Sequence, residues 1–430
     1  MRNILHVGMD ISGRYNDVCA LNVLGEVIVP HRRFRYDMSG FEALVAWLLE
    51  VARAGEFDAV QVGAEATGLL WFHILWQLQQ DEDLSAIDFA TFLYNARDVK
   101  KGKGAFGRQD KTDRKDAHAI AELLRVRHHV THALDLDARY LALQRLTRYR
   151  YHLAHVLAGE KAYARLVPLH LKMNTYRPKA PFADPFAKSG LWALTNYITI
   201  DDLVRADPDE LAAALEAVSR GRLDDPNDSA ARLQTLAAEA FPLPDAMVEP
   251  VNILLEAMLT HIQALQQIMA DLDKPIKALA QDLPGYDHLL SIPGIGPVYA
   301  AGVLAEVQDG DRFMTDPRGR PRRQHDGQAA LARFAGLWWP RKESGDFKGE
   351  DRRLAKTGNR YLRYYFIEAA NRVRQFEPEY TAFYARKYAS ANRHHHRRAV
   401  TLTARKLVRL VFSLLLNDRD YQPRGGRSRA

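Results

Sequence analysis

Three strand-like runs open the chain, alternating helices and strands follow, and helices of heptad period come after. Together these predict an α/β domain leading into a mainly helical remainder. A third observation separates the parts: the charge balance reverses sign along the chain.

Residues 4–11 form an apolar run with little polar alternation, as expected of a central strand buried on both faces. Residues 18–24 and 27–29, parted by Gly25 and Glu26, read as a hairpin. Ser39-Gly40 opens a helix with Phe41, Leu44, Val45, Leu48 and Leu49 at helical spacing. Residues 60–64 give a second buried strand, followed by a helix through Leu70, Ile74, Leu75 and Leu78, and then a third central run over 87–93. The stretch KKGKGAFGRQDK reads as a Gly/Lys loop before a helix over 113–126. Three leading strands before the alternation begins is the order of a ribonuclease-H-like domain; dinucleotide-type winding would alternate from the start.

Two long helices follow. Leu143, Leu146, Leu153 and Leu157 keep 3-4 spacing with Arg150 in the slot between them. Leu255, Met258, Ile262, Leu265, Met269, Leu272, Ile276 and Leu279 alternate 3-4-3-4, a coiled-coil seam expected to kink or break near Pro275. The seams suit pairing with each other or with another chain. Between them, 168–242 reads as a Pro- and Asp-rich insertion of small helices, with one clear helix over 209–219. The resulting division is 1–130, a helical linker over 131–282, a third domain over 283–415 and a disordered basic tail over 416–430.

The 430 residues allow two to three domains, and 47% hydrophobic with 26% charged residues excludes wholesale disorder. A single cysteine, Cys19, excludes a disulfide framework and thiolate-rich zinc modules. No apolar run approaches the roughly 18 residues of a membrane span, and MRNILHVGMD lacks a signal peptide's apolar core, so a cytoplasmic protein with no membrane partner is expected. Residues 311–430 hold 28 Lys and Arg against 12 Asp and Glu, a net +16, which leaves −9 for the first 310 residues of a chain carrying +7 overall. A basic last quarter on an acidic body fits contact with nucleic acid; the plainer alternative is a solvated basic surface.

Four acids form the sharpest N-terminal signal. Asp10 lies in the first strand within GMDIS, Glu65 ends a strand within GAEATG, and Asp113 and Asp116 share one helix face within TDRKDAHA. An acid inside an apolar strand is costly unless compensated, and carboxylates from two strands and a helix end suit Mg²⁺. Alternatively, Asp113 caps its helix and Asp116 is solvated. Gly294 and Gly296 in IPGIGP precede a helix and read either as a phosphate-approaching turn or as an ordinary tight turn. Ser344 sits in a glycine-containing loop ringed by Lys348, Arg352, Arg353, Lys356 and Arg360. From composition alone it is a solvent-facing loop serine. His394 to His396 read as basic surface, since consecutive residues do not share a helical face, and Trp338 and Trp339 as core.

Taken in order, GMDIS, GAEATG, TDRKDAHAIAELL, IPGIGPVYAAGVLAEV, AGLWWPRKESGDF and KTGNRYLRYYFIEAA resemble the insertion-sequence-one-ten family of transposases. The resemblance covers about 1–130 and 283–415. It implies a RuvC-like domain in which Asp10, Glu65, Asp113 and Asp116 are catalytic and hold Mg²⁺, two ions with Mn²⁺ able to substitute. It also implies a C-terminal transposase domain with Ser344 as nucleophile and a phosphoserine link to DNA. Donor and target DNA, a structured noncoding guide RNA and a homo-oligomer, dimer to tetramer, are the implied partners. About 230 residues separate Asp116 from Ser344, so one protomer's serine serving another's metal site is a further expectation. Other readings are a site-specific DNA invertase of the same architecture, a RuvC-like structure-selective endonuclease that uses water, and a non-catalytic nucleic-acid-binding protein with structural acids.

Overall fold

The computed structural model describes residues 2–105, 113–126, 133–134, 136–176, 181–316, 319–340, 343–344, 347–348, 354–355 and 357–423, with the backbone alone at 103–105, 113–114, 343–344 and 347–348. The chain falls into two compact units: 1–141 with 309–334 and 408–417, and 142–308 with 335–407 and 418–430.

The first unit is built on a five-stranded sheet. Its elements run β1 (Ile4–Ile11), β2 (Tyr15–Leu21), β3 (Val27–Arg35), α1 (Met38–Ala54), β4 (Ala59–Glu65), α2 (Leu70–Gln80), α3 (Glu82–Ser85), β5 (Phe89–Tyr94), α4 (Ala96–Ala105) and α5 (Asp113–Arg125). Strand order is β3-β2-β1-β4-β5. The β1–β2 and β2–β3 pairs are antiparallel, and β1–β4 and β4–β5 are parallel. One face packs Leu5, Val7 and Met9 of β1 with Val60 and Val62 of β4 against Leu44, Trp47 and Leu48 of α1 and Leu75 and Leu78 of α2. Helix α5 covers the other face.

Several boundaries differ from the sequence reading. β3 continues past Val29 to Arg35, through Pro30 and the basic residues His31, Arg32, Arg33 and Arg35. As an edge strand it tolerates both proline and charge. Helix α1 is capped by Asp37, whose carboxylate accepts from the Gly40 N–H, so the helix begins just ahead of Ser39. The Gly/Lys stretch is half helix: α4 runs through Lys100, Lys101 and Lys103 to Ala105, Val99 is buried in it, and Gly102 lies where a Cβ would strike Leu123 of α5. Packing against α5 outweighs the low helix propensity of glycine here.

The second unit is helical in its main elements. From Ala138 the chain forms α6 (Ala138–Leu166), then α7 (Pro168–Lys172), α8 (Lys188–Asn196), α9 (Ile200–Arg205), α10 (Pro208–Ser219) and α11 (Pro226–Ala238). There follow α12 (Asp245–Ala280), α13 (Tyr286–Leu290) and α14 (Pro297–Val307). Helix α15 (Gln324–Phe334) lies in the first unit's portion. Then come β6 (Glu343–Ser344), β7 (Phe347–Lys348), α16 (Arg360–Phe376), α17 (Pro378–Ala389) and α18 (His395–Leu416), within which the division of units falls. Of the tail expected over 416–430, the Tyr421 N–H donates to the Ser291 hydroxyl at 2.8 Å, and 424–430 lie outside the described residues.

Helix α12 passes through Pro275 without a break. The front half of its apolar seam, Leu255, Met258 and Ile262, is buried in one core with Leu211, Leu215, Leu233 and Leu236 of α10 and α11. That part of the seam is therefore covered by the chain's own insertion of small helices, of which the sequence marked one clearly. Helix α6 runs antiparallel to α12: Arg150 pairs with Asp273, and Glu160 faces His261 at 3.6 Å. Arg150, in the slot of the leucine seam, thus makes an ionic tie between the two long helices. No helix among the described residues is long and apolar enough to cross a membrane.

Candidate active site

The site begins with a glycine. A Cβ on Gly8, midway along β1, would lie 2.0 Å from the Ala117 carbonyl oxygen and 2.3 Å from the Ala121 nitrogen. Only glycine lets α5 lie this close to the sheet. Beside it on β2, Cys19 pairs with Gly8 and its Sγ lies 3.4 Å from His118 Nδ1 of α5. Gly63 of β4, also paired with Gly8, faces Ile120 and Leu124.

The direction of α5 follows from its far end. The Arg125 guanidinium lies over Gly25 in the β2–β3 turn, at the end of the sheet where β1 starts. The first turn of α5 therefore lies at the other end, where β1 and β4 finish. Asp10 is two residues beyond Gly8 on the same face, and Glu65 is two beyond Gly63. Asp113 is one helical turn before Ala117. The sequence thus directs the positions of Asp10, Glu65 and Asp113 to the carboxyl end of two parallel strands, where open α/β sheets hold their ligands.

The carboxylates differ in exposure. Asp10 and Glu65 are half-buried, not fully enclosed as the sequence suggested, and Glu65 accepts from the Thr67 hydroxyl at 2.8 Å. Asp116 is the enclosed one, 7% exposed. The Asp113 side chain lies outside the described residues. Among the described residues no three His, Cys, Asp or Glu side chains come together as a metal-binding group. The donor chemistry of the placement is nonetheless that of a hard divalent cation: carboxylate oxygens, no thiolate, and strand ends that leave the two outer acids open to solvent.

The sequence reading missed Asp17. It pairs directly with Asp10 across β1–β2 and is 2% exposed. Its carboxylate accepts from His31 Nε2 at 2.6 Å and from Arg33 Nε and Nη2 at 2.9 and 3.1 Å. Its lone pairs are spent on β3, which gives the basic edge strand a structural task. The basic run HRRFR was the signal.

In the second unit Ser344 stands in β6, paired antiparallel with Phe347 of β7. The side chains of Ser344 and Lys348 lie outside the described residues, as do Arg352, Arg353 and Lys356 entirely. The base of this loop is tied. The Ala355 N–H donates to the Trp338 carbonyl at 2.9 Å, and Gly336, at φ +68°, lies against the Thr357 carbonyl. Asn359 then caps α16, its Oδ1 accepting from the N–H groups of Tyr361 and Leu362, while its Nδ2 donates to Glu306 at 2.7 Å. Glu306, 3% exposed in α14, also accepts from Arg148 at 2.7 and 2.9 Å and from Gln144 at 3.2 Å. The sequence reading passed over this glutamate. Its signal was a lone acid in the small apolar helix VYAAGVLAEV.

Arg360, the first residue of α16, is exposed. Gly294 has φ +93°, and a Cβ there would meet Arg372 and Val373 of α16 at 3.0 Å, so packing accounts for that glycine. Gly296 caps α14 with nothing within 4 Å of its would-be Cβ. His395 and His396 bond to the Tyr388 carbonyl and the Tyr384 hydroxyl.

A family model described as Transposase, for DEDD-type IS110 enzymes, matches residues 7–166, and one described as Transposase IS116/IS110/IS902 family matches 286–385. An insertion element IS900 uncharacterized 42 kDa protein of Mycobacterium paratuberculosis is 25% identical over 76% of this chain and 77% of its own length. An insertion element IS110 uncharacterized 43.6 kDa protein of Streptomyces coelicolor is 27% identical over 73% of each. A probable family 20 transposase of Pseudomonas aeruginosa is 29% identical over 49% of this chain and 56% of that one. Among solved structures, T. thermophilus RuvC in complex with a Holliday junction substrate aligns with a TM-score of 0.24 and 16% identity, over 31% of this chain and all of that one.

Proposed function

The chain belongs to the IS110 family of transposases and is a DNA-acting enzyme, and from that premise we propose that Asp10, Glu65, Asp113 and Asp116 hold divalent ions while Ser344 is the nucleophile of DNA strand exchange. The observation that carries the reading is the seating of α5 on Gly8, which directs its first turn to the strand ends bearing Asp10 and Glu65.

In the proposed reaction Ser344 Oγ attacks the scissile phosphorus. The Oγ–P bond forms as the P–O bond to one deoxyribose breaks, and the serine proton passes to solvent. A deoxyribose hydroxyl of the receiving strand then attacks the phosphoserine, rejoining DNA and returning Ser344 to its hydroxyl form. One phosphodiester is exchanged for another, so no energy source is needed. A divalent ion, Mg²⁺ on this reading, supplies charge stabilisation for the attacking and leaving oxygens when bound. The protein's carboxylates fix its position, and the basic residues around Ser344 neutralise the DNA backbone. Pairing by a structured RNA chooses the donor and target sites, and an oligomer brings the two DNA duplexes together; both extend the same reading.

The test is a denaturing gel for a protein–DNA adduct, with Mg²⁺, donor and target DNA, and RNA transcribed from the element's flanks. An adduct lost in both Ser344→Ala and Asp113→Ala supports serine exchange. Cleavage that persists in Ser344→Ala and disappears in Asp113→Ala replaces it with a nuclease that uses water.

A further inference from the structure

Helix α6 presents a surface that neither the acids nor the serine uses. From Ala138 to Gly159 it contains no Asp or Glu, while it carries four arginines, three tyrosines and two histidines. The Tyr151 ring is the centre of this surface. It lies 4.0 Å from the His155 ring and meets Tyr361 and Tyr364 of α16 edge-on at 4.9 and 5.0 Å. Tyr149, 50% exposed and two residues from Tyr151, lies on a different side of α6, where it stacks on His152 at an interplanar angle of 20°.

Guanidinium groups interleave with the rings. Arg148 lies 4.6 Å over the Tyr361 ring, and exposed Arg360 lies 4.9 Å over Tyr361 and 6.0 Å from the Tyr151 centroid. Tyr151, Tyr361 and Tyr364 are half-buried while His152 and His155 are exposed. Each edge-on contact sets one ring's edge on the other ring's face, so a base has the second face of Tyr151 or the exposed His155 ring to stack on, and at Tyr361 it adjoins the Arg148 and Arg360 guanidinium groups. The bordering acid, Glu368, sits a turn beyond Tyr364, and its burial raises its pKa, which reduces its repulsion of an anion.

We infer that this α6–α16 strip is a stacking site for two to three unpaired nucleotides, with bases on the Tyr151, His155 and Tyr361 rings and a phosphate on Arg360. The chemistry fits no other common ligand as well. Alternating π faces and guanidinium groups match the alternating bases and phosphates of a single strand. A duplex hides its base faces and would gain only the charges. From Arg148 to His155 the strip runs roughly 10 Å along α6, room for a short stack and no more. The inference deepens the strand-exchange reading: an enzyme that exchanges strands must hold bases that have left their partners.

The ligand is an unpaired strand of either sugar, so the test has two arms. Full-length protein, with a chelator present to prevent cleavage, is titrated by fluorescence anisotropy with labelled dT12, U12 and a 12-base-pair duplex. Tyr361→Leu and the exposed pair His152→Ala/His155→Ala should each weaken single-strand binding about tenfold. Duplex binding should stay within about twofold, and Tyr361→Phe, which keeps the ring, should match the wild type. Tighter binding of U12 points to RNA as the source, and tighter binding of dT12 to displaced DNA. Equal losses for single strand and duplex, or no loss, overturn the site. Should Tyr361→Leu lose its near-ultraviolet circular dichroism, photocrosslinking wild-type protein to 4-thio-substituted oligonucleotides decides. Adducts within 148–155 or 360–364 uphold the site, and adducts confined elsewhere refute it. Because no cleavage enters the readout, failure of the serine adduct leaves this result standing, and adduct formation without strand preference removes this site alone.

Discussion

Two regions of the molecule treat a carboxylate in opposite ways. In the helical unit Glu306 is buried and surrounded by donors: Arg148, Asn359 and Gln144 reach it from two other elements. At the strand ends of the α/β unit Glu65 is half-exposed and accepts from Thr67, two residues along its own chain. The first arrangement spends the acid's lone pairs on joining α6, α14 and the cap of α16. The second keeps the acid open to solvent at the carboxyl end of the sheet. Burial alone does not mark an active acid; the donors around it show what the acid is used for.

The largest expected effect comes from breaking the spent acid. Glu306→Ala leaves Arg148 without its partner and the Asn359 cap without its anchor. It should destabilise the protein by on the order of 3 kcal/mol in urea unfolding. Glu65→Gln should cost under about 1 kcal/mol while abolishing strand cleavage. Equal stability losses in the two variants would erase the distinction.

Next is the glycine that seats α5. Gly8→Ala puts a methyl group against the Ala117 backbone, so the helix must shift, at about 2–3 kcal/mol. Cleavage should fall further than this stability loss explains, because the helix carries Asp113 and Asp116. Cys19, on the next strand, offers a local probe: its reactivity toward a thiol reagent should rise as α5 lifts from the sheet.

Lys172 extends the comparison to a buried cation. It is 3% exposed and donates to the carbonyls of Tyr197 and Ile198, and burial pushes its pKa down to about 8 from 10.5. Between pH 8 and 10.5 the unfolded chain keeps this proton and the folded chain has released it. Stability contributed by this group therefore rises with pH across that window, by on the order of 2 kcal/mol. Burial raises the pKa of Tyr176, which opposes the trend above pH 10, so the rise is best read between about pH 8 and 9.5. Lys172→Met should flatten the slope, and an unchanged slope would show that other groups set it.

Much of this was legible in the sequence because it rests on local pattern. The β1 run, the acid ending β4, the four acids as a set and the period of α5 each follow from a few adjacent residues, and the resemblance then implied roles for the acids and for Ser344. What was not legible depends on distant partners. The exposure of Asp10 depends on where strands end, and the silence of Asp17 depends on His31 and Arg33 across a hairpin. The seam of α12 carries coiled-coil spacing, yet heptad spacing does not say what covers it; here α10 and α11 cover its front half. Val99 and Gly102 turn a Gly/Lys loop into helix because α5 lies against them. Asn359 and Glu306 stand 53 residues apart and become one network only when α14 meets the start of α16.

The most direct test of the account is Mn²⁺ binding followed by electron paramagnetic resonance, without DNA. Wild-type protein is compared with Asp10→Asn, Glu65→Gln, Asp116→Asn and Asp17→Asn, each checked for folding. Mn²⁺ binding should weaken at least about tenfold in the first three variants and be retained in Asp17→Asn, whose carboxylate already serves His31 and Arg33. Unchanged binding in folded Asp10→Asn and Glu65→Gln would contradict it, and the carboxyl end of β1 and β4 would not be the metal centre.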